Sequence, residues 1–159
     1  MRAVIQKVKS ASVSIDNKLH SQISSGLLVF LAVHRDDQDK DLEYILDKII
    51  NMRIFNDEND KMNKSVLDVG GQILVVSQFT LYGDIRKGRR PSFTESAGHE
   101  KANYYYEELV RRLKDHIGVV ETGVFAADMN VELINDGPVT IQLDSNKLYW
   151  GIYENYKRW

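Results

Sequence analysis

The polar and apolar positions of this chain change period several times, and the changes mark its elements. Ala3 to Val8 is rich in β-branched residues and reads as a strand, although adjacent Val4 and Ile5 leave it without one clean face. Ala11, Val13 and Ile15 alternate with Ser12, Ser14 and Asp16, the period of a second, half-buried strand. Asp16-Asn17 supplies turn residues, and Leu19, Ser21 and Ile23 form the return strand of a hairpin. Gly26 then precedes Leu27 to Val33, the longest apolar run and a predicted central strand. Leu42, Ile45, Leu46 and Ile49 recur at helical spacing, with carboxylates between Asp36 and Asp39 offered to the helix N-terminus.

The second half repeats the theme. Ile73-Leu74-Val75-Val76 is a strand apolar on both faces. Ser96 to His116 reads as a second amphipathic helix, with Ala102, Tyr105, Leu109 and Leu113 on its apolar side. Three further strands are predicted: Val119 to Phe125, then Met129-Val131-Leu133, then Val139-Ile141-Leu143. Asn135-Asp136-Gly137-Pro138 separates the last two, and Asp-Gly between alternating runs is a strong hairpin signal. The base rate for an X-Pro bond in a folded protein, about 5–6% cis, favours a trans Gly137-Pro138 bond in that turn.

The chemistry concentrates after Val76. There the strand delivers Ser77, Gln78, Phe79 and Thr80, and beyond Gly83-Asp84 come four cations in five positions, Arg86, Lys87, Arg89 and Arg90. A rigid strand giving way to such a loop can hold a reacting group beside a phosphate. A core strand followed by a solvated charged turn gives the same pattern, and on this feature alone it is the commoner arrangement. Asn56 to Asp60 invites a calcium reading, but counting from Asp57 places Met62 and Asp68 where an EF-hand loop needs glycine and glutamate. A polar turn is expected there and no metal site. His34, at the end of a strand, has no sequence-adjacent catalytic partner, and a local structural role is expected of it.

Composition narrows the picture. The 159 residues suit one domain, and 43% hydrophobic with 28% charged residues is ordinary for a globular protein. The absence of cysteine removes thiol nucleophiles, disulfides and thiolate metal sites. The first eight residues lack the apolar core of a signal peptide and no segment is long enough to span a bilayer, so a cytoplasmic location is expected. With a net charge of −2, contact with nucleic acid must come from a local patch, and the candidate is the loop at 86–90.

Taken together, SQFTL at 77–81, KGRRPSF at 87–93, FAADM at 125–129 and NDGPVT at 135–140 resemble the signature segments of the D-aminoacyl-tRNA deacylase family. MRAVIQKV, ASVSI, RIFND at 53–57 and KMNKSV at 61–66 agree, and the resemblance runs in unbroken order over roughly 1–144. It implies an α+β fold, a layered, barrel-like β-sheet core with two main helices packed on one side. It implies a single deacylase domain at 1–144, no cofactor, and a homodimer with the active site at its interface. The implied reaction is hydrolysis of the ester joining a D-amino acid, or glycine, to the 3′ end of tRNA, with L-aminoacyl esters rejected, as chiral proofreading in translation.

Carried over residue by residue, the resemblance makes Ser77, Gln78, Phe79 and Thr80 the catalytic wall. Gly137 and Pro138 become a chiral gate contributed by the other subunit, with a cis bond in place of the trans one favoured by base rate. Met129 lines the pocket and Phe125 to Asp128 support it; from their charge, the cations Arg86, Lys87, Arg89 and Arg90 are expected to contact acceptor-stem phosphates. Backbone N–H groups near Phe79 and Thr80 would hold the oxyanion. None of the matching segments contains a histidine that could activate Thr80. Water attack assisted by the ribose 2′-hydroxyl is therefore the expected route, with Thr80 positioning the substrate.

Two positions depart from the family pattern. Lys7 stands where the family usually has arginine, whose planar fork a lysine cannot reproduce. Residues 145–159 extend past the usual end, and Tyr149, Ile152, Tyr153 and Tyr156 are spaced for a short docked helix. Two other functions fit the same residues: a tRNA-binding module without catalysis, and a small-ester hydrolase with Thr80 as nucleophile.

Overall fold

The computed structural model describes residues 1–147; the C-terminal extension, with its expected short helix, lies almost wholly outside them. Strands β1 (Arg2–Ile15), β2 (Lys18–Ile23) and β3 (Gly26–Ala32) precede helix α1 (Asp39–Asn51). The short pair β4 (Phe55–Asn56) and β5 (Met62–Lys64) leads to β6 (Gln72–Ser77) and a 3-10 turn at Phe79–Tyr82. Helix α2 (His99–Lys114), β7 (Val120–Thr122) and β8 (Asn130–Asp144) follow.

The main sheet runs β2-β1-β3-β6-β7, with β8 on the remaining edge of β1. Strands β3, β6 and β7 are mutually parallel, and the pairs made by β1 are antiparallel. The first half of β1 pairs with β3 and its second half with β2, so β1 carries β2 round over the face of the sheet. There the Ser21 hydroxyl donates to the Thr122 carbonyl at 2.7 Å, nearly closing a barrel.

The strand at the centre is buried on both sides, which is why its sequence shows no alternation. Leu27, Val29 and Leu31 of β3 and Ile73 and Val75 of β6 face α1 and α2. Leu28, Leu74 and Val76 face the barrel interior with Val8, Ala11, Val13 and Ile23. The two helices pack on one side through Leu42, Ile45 and Ile49 of α1 and Tyr105, Leu109 and Leu113 of α2. The α+β reading, a layered, barrel-like core with two helices on one side, holds.

Several details differ from the sequence reading. The two strands expected before Asp16 are one, because β8 bonds along β1 through the polar stretch near Lys9 and Ser10, where the pairing only shifts register. The hairpin expected at Asn135–Pro138 does not form. Val8 pairs with Asn135 and Gln6 with Thr140, so Lys7 alone stands opposite Asp136 to Val139 and β8 carries on past them. An unbroken β1 edge partners both halves of β8, and the bulge places Pro138, which has no N–H to give, where the ladder is interrupted. The Gly137-Pro138 bond is cis, as the family resemblance implies and against the base rate.

The strand expected at 119–125 shortens to Val120–Thr122, and α2 starts at His99. At α1 it is Asp41 that accepts the Gln38 N–H, at 2.9 Å. Asp37 binds elsewhere, taking the Met1 ammonium at 2.7 Å and the His34 N–H at 2.6 Å. Asp57 closes the β4–β5 turn by accepting the N–H groups of Asn59 and Lys61, a polar turn as expected.

Candidate active site

Strand β6 is clamped between β3 and β7, and its polar end opens into a cleft of about 530 Å³ beside the barrel. Ser77, Gln78 and Phe79 form one wall, and Phe125 to Met129 form another. The Gln78 N–H donates to the Leu31 carbonyl at 2.7 Å, which fixes the strand end to β3. From there the chain enters the 3-10 turn. As its first two residues, Phe79 and Thr80 carry N–H groups with no acceptor inside the turn, and neither donates to another described carbonyl. The Ser96 hydroxyl donates to the Phe79 carbonyl at 3.0 Å and steadies the turn from the α2 side.

Thr80 is exposed and does not line the cleft. Its hydroxyl accepts a hydrogen bond from the Gln78 side-chain amide, at 2.5 Å. An amide N–H cannot take the proton that a nucleophilic threonine must lose. The arrangement suits a residue that orients something else.

The sequence reading placed Phe79 and Phe125 at the site but missed the aromatic residues they meet, Tyr106, His99 and Phe93. Tyr106 lines the cleft and donates to the Val75 carbonyl at 2.9 Å, and burial pushes its hydroxyl up to about 12. Phe125 packs against Tyr106 and takes the exposed His99 ring edge-on, with centroids 5.0 Å apart. Across the cleft Phe79, 55% exposed, meets Phe93 edge to face. The signal was present in the Tyr104 to Tyr106 triplet, in which Tyr105 and Tyr106 are both buried while Tyr104 is exposed.

Met129 lies in the cleft with Ser77 to Phe79; Gly137 and Pro138 do not. They sit on the outer bulge of β8, exposed, and an added Cβ at Gly137 would meet nothing within 4 Å. The bulge is nonetheless held in place. The Asn135 side-chain amide donates to the Lys7 carbonyl at 2.8 Å, and the Lys7 ammonium meets Asp136 at 2.9 Å. Lysine at position 7 thus reaches the bulge by one point contact.

The basic loop hangs from a two-way backbone bridge between Asp84 and Ser92. Its four cations are not equivalent. Arg86 forks onto Asp84 at 2.9 and 2.7 Å, holding that carboxyl well below the usual carboxylate range. Lys87, Arg89 and Arg90 are exposed and have no carboxylate partner among the described residues.

The model of the family described as D-Tyr-tRNA(Tyr) deacylase matches residues 4–144. A D-aminoacyl-tRNA deacylase of Clostridioides difficile (strain 630) is 59% identical over 149 residues, 94% of this chain and all of that one. Its counterpart in Thermosipho africanus (strain TCF52B) is 56% identical over the same span. Among solved structures, the c-Myc DNA Unwinding Element Binding Protein superposes with a TM-score of 0.86 at 39% identity, over 91% of this chain and 98% of that one. A probable eukaryotic D-amino acid tRNA deacylase shares the fold, with a TM-score of 0.76 at 18% identity over 89% and 97% of the two chains.

Proposed function

The chain belongs to the D-aminoacyl-tRNA deacylase family, enzymes that hydrolyse an aminoacyl-tRNA ester, and from that premise we propose how its site works and what it rejects. The observation that carries the proposal is the pair of N–H groups on Phe79 and Thr80, beside the cleft, that meet no acceptor among the described residues. They form the oxyanion hole for the ester carbonyl, worth most where water is excluded and the donors are already in place. The terminal adenosine enters the cleft lined by Ser77 to Phe79, Phe125 and Met129. Water attacks, assisted by the ribose 2′-hydroxyl. Thr80, tied to Gln78, positions the ester and does not form a covalent intermediate.

Stereochemical choice falls to Gly137 and Pro138 of a second copy. What supports this is their place: the same chain pins the bulge through Asn135 and Lys7, yet leaves Gly137 with open space around it. Along β8 only Val139, Leu143 and Asp144 are buried, while Val131, Leu133 and Ile141 are partly open and Ile134 is 59% exposed. Apolar surface of that kind on an outer strand is what a homodimer covers. Backbone carbonyls of the bulge accept a hydrogen bond from the substrate α-ammonium and fill the space an L side chain needs. Nothing there reads the side chain, so many D-residues and glycine pass. Lys87, Arg89 and Arg90 contact acceptor-stem phosphates, and the protein acts in the cytoplasm.

The test is hydrolysis of matched D-tyrosyl-, L-tyrosyl- and glycyl-tRNA at one concentration. The expected result is cleavage of the D and glycyl esters with L-tyrosyl-tRNA spared on the order of a thousandfold, about 4 kcal/mol of barrier. Comparable rates on both tyrosyl enantiomers would remove the gate, and tRNA binding without release of amino acid would make the protein a carrier. Replacing two of Lys87, Arg89 and Arg90 by glutamine should flatten the log–log salt dependence of tRNA binding by up to roughly two units. An unchanged slope returns the loop to solvated charge.

A further inference from the structure

The N–H of Thr80 and the carbonyl of Phe79 belong to one peptide plane, so whatever fixes that carbonyl aims the donor. Inside the 3-10 turn the i→i+3 pattern offers this carbonyl the Tyr82 N–H, a bond that runs along the turn. The Ser96 hydroxyl adds a second, from outside, at 3.0 Å. A bond along the turn leaves the plane free to tilt, and one from outside pins it. Ser96 is half-buried and does not line the cleft, so it reaches the reaction only through this contact.

Ser96 owes its place to the end of β3. Just past that strand the Val33 carbonyl takes the Ala97 N–H at 2.9 Å, and the Arg35 N–H donates to the Glu95 carbonyl at 3.1 Å. These two bonds bracket Ser96 and set it opposite His34. The Glu95 carboxylate adds contacts to the His34 ring at 3.0 Å and to Arg35 at 3.2 Å. Two residues before Val33, the Leu31 carbonyl holds the Gln78 N–H at 2.7 Å. The donor turn and Ser96 are therefore registered on one stretch of backbone, and the short serine side chain has little freedom to miss. The far end of the turn is held independently. There the Arg2 guanidinium donates to the Leu81 carbonyl at 3.0 Å and lies over the Tyr82 ring, 4.4 Å from its centroid. Loss of the Ser96 hydroxyl thus leaves the turn in place and frees one peptide plane.

Resting on the deacylase reading above, we propose that Ser96 is a positioning residue for ester hydrolysis, aiming and polarising the Thr80 N–H through the Phe79 carbonyl. A bond accepted at a peptide oxygen leaves the N–H of the same unit a stronger donor, by about 10–30%. Aim matters more, because an oxyanion hole works through donors that already point at the developing charge. The Phe79 N–H has no such helper: the carbonyl in its plane, that of Gln78, accepts from within the turn, from the Leu81 N–H at 3.2 Å. Deleting a whole oxyanion donor costs about 10²–10³ in rate. Loosening one of two should cost a fraction of that.

The experiment compares Ser96→Ala with Ser96→Thr, which keeps a hydroxyl, in single turnover of D-tyrosyl-tRNA at saturating enzyme. Ser96→Ala should slow the step about three- to tenfold. Its Kd for D-tyrosyl-tRNA carrying an uncleavable amide in place of the ester should stay within about twofold of wild type, since ground-state binding does not need the aimed donor. A phosphonate analogue of the D-tyrosyl ester, whose anionic oxygen stands where the oxyanion forms, should bind this variant more weakly by the same factor as the rate. Ser96→Thr should recover most of the rate and of the phosphonate affinity, and thermal unfolding of both variants should match wild type. A Ser96→Ala rate within about twofold of wild type, or a loss shared equally by amide binding, makes Ser96 a structural contact and overturns the proposal. So does a Ser96→Thr variant as slow as Ser96→Ala. Wild-type protein that binds the phosphonate no tighter than the amide overturns the oxyanion hole instead. Wild-type protein that releases no amino acid from D-tyrosyl-tRNA overturns the deacylase reading itself.

Discussion

The Ser77–Thr80 segment and the Asn135–Pro138 bulge serve one proposed site, yet they are built in opposite ways. The first ends a strand whose residues Ile73 to Val76 are at most 1% exposed, paired on both edges, and tied by the Gln78 N–H to β3. Everything that positions it belongs to its own chain. The second interrupts the outermost strand, is pinned by Asn135 and Lys7, and turns Gly137 toward empty space. Its foundation lies within the chain, while an added Cβ at Gly137 meets nothing of that chain. Catalytic donors need a fixed frame, whereas a discriminating surface needs something to press against. Substitutions should therefore fail differently: in the strand frame that holds the first region through the fold, and in the second region through function alone.

The largest effect is expected at Gly26, which pairs with Gln72 at the foot of β6. A Cβ there would stand 1.8 Å from the Gln72 carbonyl oxygen, backbone against backbone, so β3 and β6 must separate. Gly26→Ala should lose at least about 3 kcal/mol in urea unfolding and take activity with it. A loss under about 1 kcal/mol would mean the frame is softer than its pairing implies.

Next comes Thr80. Thr80→Ala removes a hydroxyl that, among the described residues, only Gln78 engages, and both backbone donors stay. Turnover should fall 10- to 100-fold, about 1.4 to 2.7 kcal/mol of barrier, with stability unchanged. An aminoacyl group trapped covalently on Thr80 would make it the nucleophile and put the water mechanism aside.

How legible each region was in the sequence follows from the same contrast. Ile73 to Val76 announced a buried strand because burial on both faces leaves an uninterrupted apolar run, and SQFTL followed as its polar end. The β8 bulge was misread because local signals favoured a hairpin: Asp136-Gly137 sits between two alternating segments. What overrode them was distant, the unbroken edge of β1, which lies more than a hundred residues upstream and carries no local mark of that role. The aromatic pairings around the cleft were not legible for a related reason. Phe79 with Phe93, and His99 with Phe125, meet only after the chain has folded. The Gly137 and Pro138 positions came from family resemblance alone, and periodicity pointed away from them.

A smaller effect should arise at the pin between the two regions. The Lys7–Asp136 pair is only partly shielded, with side chains 12% and 35% exposed, so Lys7→Met should cost under about 1 kcal/mol of stability. Its consequence should appear in selectivity: the rate on L-tyrosyl-tRNA relative to D-tyrosyl-tRNA should rise about tenfold, about 1.4 kcal/mol, as the bulge loses its point contact. Selectivity that stays at the wild-type value would leave Asn135 as the sole anchor. Lys7→Arg then sharpens the result, since a forked contact should restore or exceed the original ratio.

The smallest change to the fold is expected at Gly137, and it separates the two regions most cleanly. Unlike Gly70 and Gly88, Gly137 does not have a positive φ, so its backbone suits any L-residue. An added methyl would touch nothing within 4 Å in its own chain. Gly137→Ala should therefore leave the urea midpoint within about 0.5 kcal/mol of wild type, the opposite of Gly26→Ala. If the bulge of one copy meets substrate bound to the other, that methyl enters the space reserved for the α-carbon. D-tyrosyl-tRNA turnover should then fall three- to tenfold, about 0.6 to 1.4 kcal/mol. Sedimentation should show the same assembly as wild type, a dimer on the proposed reading, because the β8 surface around Ile134 is untouched. A variant as active as wild type would place the gate elsewhere, and a variant that dissociates would make Gly137 an interface residue first. Only a stable, dimeric and slowed protein fits a surface that one chain builds and another uses.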